Sequence, residues 1–140
     1  ESRGLGDVYK RQELQDLAVR LEVSAIFTGW LEGERLAAWY NLADVFVLPS
    51  LVEPFGAVVN DALAAGCFCL VSGRCGSACL VRRGWNGELF DPEDERGLAS
   101  LLRETCLDRS GSPSSPRLKE CLMPAGFREY VNHLMEHIVR

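Results

Sequence analysis

Lysine is nearly missing from this chain, with none between Gln12 and Arg117. The net charge is −5. Nucleic-acid binding needs a basic face to meet the phosphates, so DNA or RNA is excluded as the main partner. The one local basic cluster, Arg82 with Arg83, reads as a solvated helix end. Histidine occurs twice, at His133 and His137 near the carboxyl terminus, and the six cysteines form no C-x-x-C pair. The residues therefore offer no metal-ligand spacing, and no metal is expected. No apolar run approaches the roughly 18 residues that span a bilayer. No apolar signal-peptide core lies near the amino terminus, and no internal repeat is present.

What is there suits one domain with one core: 140 residues, 47% hydrophobic and 25% charged. Residues 1–12 stand apart. Their GDVYKRQ run resembles a sequencing-library adapter translated in frame. They are set aside as a non-native lead, which implies that the native protein continues upstream. The apolar positions Leu14, Leu17, Ala18 and Leu21 then predict a helix over 13–22. SAIFT at 24–28 predicts a strand stopped by Gly29. Helical spacing returns over 33–43. Val45 to Leu48 is a continuous apolar run closed by Pro49, as expected of a strand covered on both faces.

Residues 57–65 read as a helix ended by Gly66, and 67–72 as a buried strand in which Cys67 and Cys69 share a face. The cysteines are expected as reduced thiols serving as small core residues. A short helix over 77–83 and a strand over 87–90 follow. Asp91-Pro92 opens a helix with Leu98, Leu101, Leu102 and Cys106 on one side. SGSPSSP at 110–116 is a linker. Residues 117–140 form a C-terminal helical segment marked by Phe127, Val131, Leu134 and Ile138. Alternating strands and helices over 13–109 predict an α/β, Rossmann-like, doubly wound parallel sheet.

In such a sheet ligands bind at the carboxyl ends of the strands. The segment LPSLVEPFGAVVNDALAAG, residues 48–66, lies at such an end. Gly56 lets backbone approach a ligand closely, and free N–H groups at the helix start suit a phosphate or a sugar hydroxyl. Glu53 in the loop can accept hydrogen bonds from sugar hydroxyls or balance positive charge at an anomeric carbon. Asp61, one turn into the helix, can accept from the two hydroxyls of a ribose. On position alone both acids also fit duller roles, as a helix-dipole partner and a solvated face.

ADVFVLPSLVEPFGAVVNDALAAG, residues 43–66, resembles the signature of glycosyltransferase family 4 in the GT-B superfamily. The flanks IFTGWLEGERLAAWYNLAD and LVSGRCGSACLVRRGWNGELFDPED resemble the same family, so the likeness covers roughly residues 13–107. It implies the C-terminal, donor-binding half of a GT-B glycosyltransferase, truncated at its N-terminus. That enzyme transfers a sugar from a nucleotide diphosphate sugar to a glycan or lipid acceptor, with retention and without an essential metal or other cofactor. Glu53 matches the first family acid, on the donor sugar. Asp61 matches the second, on the ribose, where the family usually has Glu. The resemblance puts Pro54, Phe55 and Gly56 on the donor, with the N–H groups of Phe55 and Gly56 on its sugar and phosphate. It puts Gly29 and Trp30 beside the base, although Trp30 fits burial against the sheet equally well. Phe68 stands where Pro is common, a change expected to affect packing only.

The resemblance also implies what is absent: an acceptor domain, and the first two strands of the donor domain with the Arg and Lys that neutralise a diphosphate. The chain alone is then expected to bind nucleotide sugar weakly and to transfer nothing. The 24–28 strand, without its family neighbour, must pair with Val45–Leu48, stay loose or expose an edge. A cytoplasmic location is expected, with membrane contact only through the absent part. A non-catalytic nucleotide-sugar-binding module on the same fold is the alternative, and a nucleotide-sugar isomerase is a third reading that no residue here supports.

Overall fold

The structure, a computed structural model, describes residues 5–109 and 120–123. The chain divides into two units, Glu1–Leu31 and Glu32–Arg140. The expected linker at 110–116 and most of the C-terminal helical segment lie outside the described residues.

The first unit is built on α1, Leu5–Arg20. It begins eight positions before the expected start at residue 13 and runs through residues that the sequence reading set aside. Polar side chains support those early turns: Lys10 Nζ lies 3.3 Å from Glu13 Oε2, and Gln12 Nε2 donates to Asp16 Oδ1 at 2.9 Å. The helix closes in a Schellman motif. Val23 N–H reaches back to the Ala18 carbonyl at 2.9 Å and Glu22 N–H to Val19 at 3.1 Å. Glu22 takes the left-handed position at φ 54°, a place where glycine is common. Residues 24–28 form no strand, which corrects the sequence reading. A strand exists only through a ladder with a neighbour. Here the Phe27 carbonyl instead accepts from Arg11 Nη2 at 2.7 Å.

The second unit holds the sheet. Its elements are α2 Gly33–Leu42, β1 Val45–Leu48, α3 Val58–Ala64, β2 Phe68–Ser72, a 3₁₀ turn at Gly76–Leu80, β3 Gly87–Phe90 and α4 Glu95–Arg109. The three strands are parallel in the order β1-β2-β3, with Val45 opposite Phe68 and Cys69 opposite Gly87. This is the α/β, Rossmann-like parallel arrangement that the alternation predicts. Every residue of β2 is buried, as the middle strand requires. The core forms where α3 lays Val59, Ala62 and Leu63 against Cys67, Cys69 and Val71, with Tyr40 from α2 beside them. The Tyr40 ring tilts against Phe46 of β1 at 5.8 Å between centroids.

α3 ends as its sequence predicts. Cys67 N–H bonds to the Ala62 carbonyl and Gly66, at φ 77°, to Leu63. The Cys67 thiol donates to the carbonyls of Tyr40 and Ala43, each at 3.2 Å. α4 starts at Glu95 and not at Pro92, because Asp94 caps it by accepting from Gly97 N–H at 2.9 Å. Leu98, Leu101 and Leu102 are half-buried as expected. Thr105, not Cys106, completes that face: Thr105 is buried and Cys106 exposed.

Asn86 ties the amino end of the sheet together. Its Oδ1 accepts from Arg82 N–H at 2.7 Å, and its Nδ2 donates to the carbonyls of Leu80 at 3.1 Å and Leu122 at 3.0 Å. Leu122 N–H in turn donates to the Leu63 carbonyl at 2.8 Å. The short segment 120–123 is thereby fixed beside the end of α3.

Candidate functional site

Because β1 and β2 are parallel neighbours, the loops leaving Leu48 and Ser72 emerge at the same end of the sheet. They are stitched together. Glu53 makes an isolated parallel bridge with Cys75. Gly76 N–H donates to the Glu53 carbonyl at 3.0 Å, and Ser77 N–H to the Phe55 carbonyl at 2.7 Å. The approach requires glycine at 76, since a Cβ there would collide with the Pro54 carbonyl oxygen.

Inside this loop the Glu53 carboxylate turns back on its own backbone. Oε1 accepts from Gly56 N–H at 3.1 Å and from Phe55 N–H at 3.3 Å. The sequence reading left those N–H groups free for a ligand; the structure gives both to Glu53. Gly56 has φ 78°, and a Cβ on it would lie 2.6 Å from Ser77 Oγ. Ser77 is 1% exposed, and its Oγ meets no hydrogen-bond partner among the described residues. Leu51, Val52 and Phe55 project from the same loop into solvent.

Asp61 faces elsewhere. It lines a groove of about 420 Å³ between α2 and α3, with Gly33, Leu36, Tyr40, Asn41 and Ala64, and none of residues 53–56 lines that groove. Burial, and next the Asp61 charge, push the Tyr40 phenol up from its ordinary value. Burial also raises the Cys75 thiol, with the Glu53 charge adding to it and a hydrogen bond to Ser72 opposing it. Gly29 and Trp30 belong to the first unit. Gly29 has φ 72°, and Trp30 is 73% exposed, which corrects the reading that would bury it against a sheet.

Two residues escaped the sequence reading. Arg74, just past β2, lines a second recess of about 360 Å³ with Arg83, Phe90 and Asp91 at the carboxyl ends of β2 and β3. Its guanidinium pairs with Glu93 and lies 3.5 Å from Asp91. Its position just past a strand end is the signal that marks it. Ser77 carries no such signal, because only the folded loops bring it to Gly56. Arg82 and Arg83 are exposed as expected, but the expected helix over 77–83 is only the 3₁₀ turn Gly76–Leu80, and both arginines lie past its end. Arg82 lies over the Trp85 ring at 5.5 Å and Arg83 Nε is 3.8 Å from Glu88. Among the described residues no group of three or more His, Cys, Asp and Glu is placed to hold a metal ion. No described helix is long and apolar enough to cross a membrane.

The chain is 37% identical over 98 residues to an uncharacterised glycosyltransferase of Methanocaldococcus jannaschii, covering 69% of this chain and 25% of that protein. It is 37% identical to a D-inositol 3-phosphate glycosyltransferase of Streptomyces coelicolor, over 68% of this chain and 21% of the relative. It is 34% identical to a sulfoquinovosyl transferase of Arabidopsis thaliana, over 75% and 21%. It thus spans a quarter or less of the length of these relatives. A sucrose-phosphate synthase from Thermosynechococcus elongatus has a similar structure, with a TM-score of 0.65 and 30% identity over 93% of this chain and 32% of that one. The sequence profile of the glycosyl transferases group 1 matches residues 4–108. With three parallel strands and an EPFG loop at their carboxyl end, the chain belongs to this family, the glycosyl transferases group 1 of the GT-B superfamily.

Proposed function

We propose that the chain is the donor-binding, C-terminal half of a family 4 retaining glycosyltransferase. The whole protein transfers a sugar from a nucleotide diphosphate sugar to a glycan or lipid acceptor, and the acceptor is bound by a part outside this chain. The observation that carries the reading is the Glu53-Pro54-Phe55-Gly56 loop. It stands at the carboxyl end of β1, where open α/β sheets bind ligands, and is stitched to Cys75, Gly76 and Ser77. Glu53 is assigned to the donor sugar, and Pro54, Phe55 and Gly56 to holding the donor through the loop backbone. Asp61 is assigned to the ribose, and its groove between α2 and α3 has room for one. Gly29 and Trp30 are assigned to the base.

The chemistry of the loop follows from its hydrogen bonds. An ionised carboxylate only accepts, and a backbone N–H only donates. A donor whose phosphate or sugar oxygen takes the Phe55 and Gly56 N–H groups must therefore displace the Glu53 carboxylate, which becomes available to sugar hydroxyls. With no lysine in the described second unit, diphosphate charge would be met by backbone N–H groups and arginine. Weak donor binding and no transfer by this chain alone are the expected behaviour.

The self-engaged Glu53, together with Asp61 in place of Glu, favours a second reading. This is a non-catalytic nucleotide-sugar-binding module on the same fold. Both readings are tested by ligand-observed NMR with UDP-, GDP- and ADP-sugars on the chain and on Glu53→Ala and Asp61→Ala. Binding of one nucleotide class is expected, weakened about tenfold in Asp61→Ala, the worth of a hydrogen bond to a charged group. A folded chain that binds none of them would sink both readings. Transfer by a longer form of the protein, lost in Glu53→Ala, would separate the enzyme from the module.

A further inference from the structure

The Ser77 hydroxyl, beside the EPFG loop, is a buried polar group without a hydrogen-bond partner among the described residues. Its backbone is locked, because Ser77 N–H donates to the Phe55 carbonyl at 2.7 Å. Its side chain is 1% exposed, and Oγ has no partner among the described residues. Buried hydroxyls are nearly always paired, and leaving one unpaired opposes folding. For the fold alone, alanine would serve better at this position.

The Ser77 oxygen and the Glu53 side chain both lie on the Cβ side of Gly56. A Cβ placed on Gly56 would lie 2.6 Å from Ser77 Oγ and 3.3 Å from Glu53 Cγ, with Leu48 Cδ2 also at 3.3 Å. The two polar side chains thus flank a single small gap that only glycine leaves open, and a leucine methyl walls it. The Glu53 carboxylate accepts from the N–H groups of Phe55 and Gly56.

We propose that Ser77 is a positioning residue for Glu53. When a ligand takes the Phe55 and Gly56 N–H groups, the displaced carboxylate turns onto the Ser77 hydroxyl, which holds it towards the sugar of the ligand. The donor type is right, since a hydroxyl donates one proton and an ionised carboxylate only accepts. The apolar wall strengthens the bond by keeping water out. This role rests on the donor-site reading above.

The test is Ser77→Ala in the whole 140-residue chain, probed with UDP-, GDP- and ADP-glucose and with the three sugar-free nucleoside diphosphates. The expected result has two parts. The thermal midpoint does not fall, because no ligand-free contact is lost. Affinity for the sugar nucleotide drops about tenfold or more, the scale of one hydrogen bond to a charged group, while affinity for the matching diphosphate holds within about twofold. Equal losses for both ligands, or a lowered midpoint, would mark Ser77 as structural and overturn the proposal. Unchanged affinity for the sugar nucleotide would overturn it while leaving the donor reading intact. A wild-type chain that binds no sugar nucleotide would remove the donor reading and the Ser77 role together. Ser77→Cys, which keeps the side-chain shape at a slightly larger volume but weakens the donor, gives a second measurement with the same expected outcome.

Discussion

At the scale of single residues, the cysteines divide by burial. Cys67, Cys69 and Cys75 are buried, whereas Cys79, Cys106 and Cys121 are exposed, and all six are free thiols. Burial, with the neighbouring Cys67 adding to it, pushes the Cys69 thiol up to about 12 from an ordinary 9.0. The folded state therefore holds its proton over a range where the unfolded chain has lost it. The stability from this group is complete below pH 9.0 and is lost as pH rises towards 12. The raised Tyr40 phenol works in the same direction. A thiol reagent added to the native chain near neutral pH is expected to modify the three exposed cysteines promptly and the other three only on unfolding. Denaturant titrations above pH 9 should show a falling midpoint, and Cys69→Val should flatten that fall. A native chain in which Cys69 reacts as fast as Cys79 would contradict the burial.

At the scale of elements, Asn86 joins more backbone than any residue of the strands around it. Removing its amide leaves Arg82 N–H and the carbonyls of Leu80 and Leu122 without their partner. Asn86→Ala is expected to cost about 2–4 kcal/mol, since it removes three part-buried hydrogen bonds worth about 0.5–1.5 kcal/mol each. The check is a urea midpoint, together with faster amide exchange at Leu122, whose own N–H bond to Leu63 depends on the same arrangement. Of the three Asn86 bonds, those to Arg82 and Leu80 are local, and the one to Leu122 joins a segment far along the chain, which local sequence does not reveal. The strands themselves were legible. VFVL at 45–48 is bounded by Asp44 and Pro49, and Gly66 ends α3 where its chemistry says it should. SAIFT at 24–28 is also rich in strand formers but has no ladder, because pairing depends on a neighbour that local sequence does not contain. The site was half legible for a similar reason. EPFG announces a loop after a strand, while the Glu53–Cys75 bridge and the position of Ser77 arise only when two loops meet.

At the scale of the whole molecule, the sheet has a bare side. β1 pairs with β2 on one side and has no strand on the other among the described residues. An apolar edge strand is a template for pairing with another chain. Phe46 and Leu48 pack on the core, so Val47 points to the opposite face, and lysine there would leave the core contacts in place. Concentration-dependent association is expected by sedimentation, and Val47→Lys should reduce it with little change in the fold. Equal association in both chains would locate the contact elsewhere. The two ends of the sheet also carry separate duties. The amino end holds Asn86, the closing turn of α3 and residues 120–123, and these bind to one another. The carboxyl end holds the Glu53 loop and the Gly73–Ser77 turn. A lineage can therefore exchange residues at the carboxyl end and try new ligands while the clasp at the amino end keeps the chain folded, so innovation and foldability draw on different positions of one small sheet.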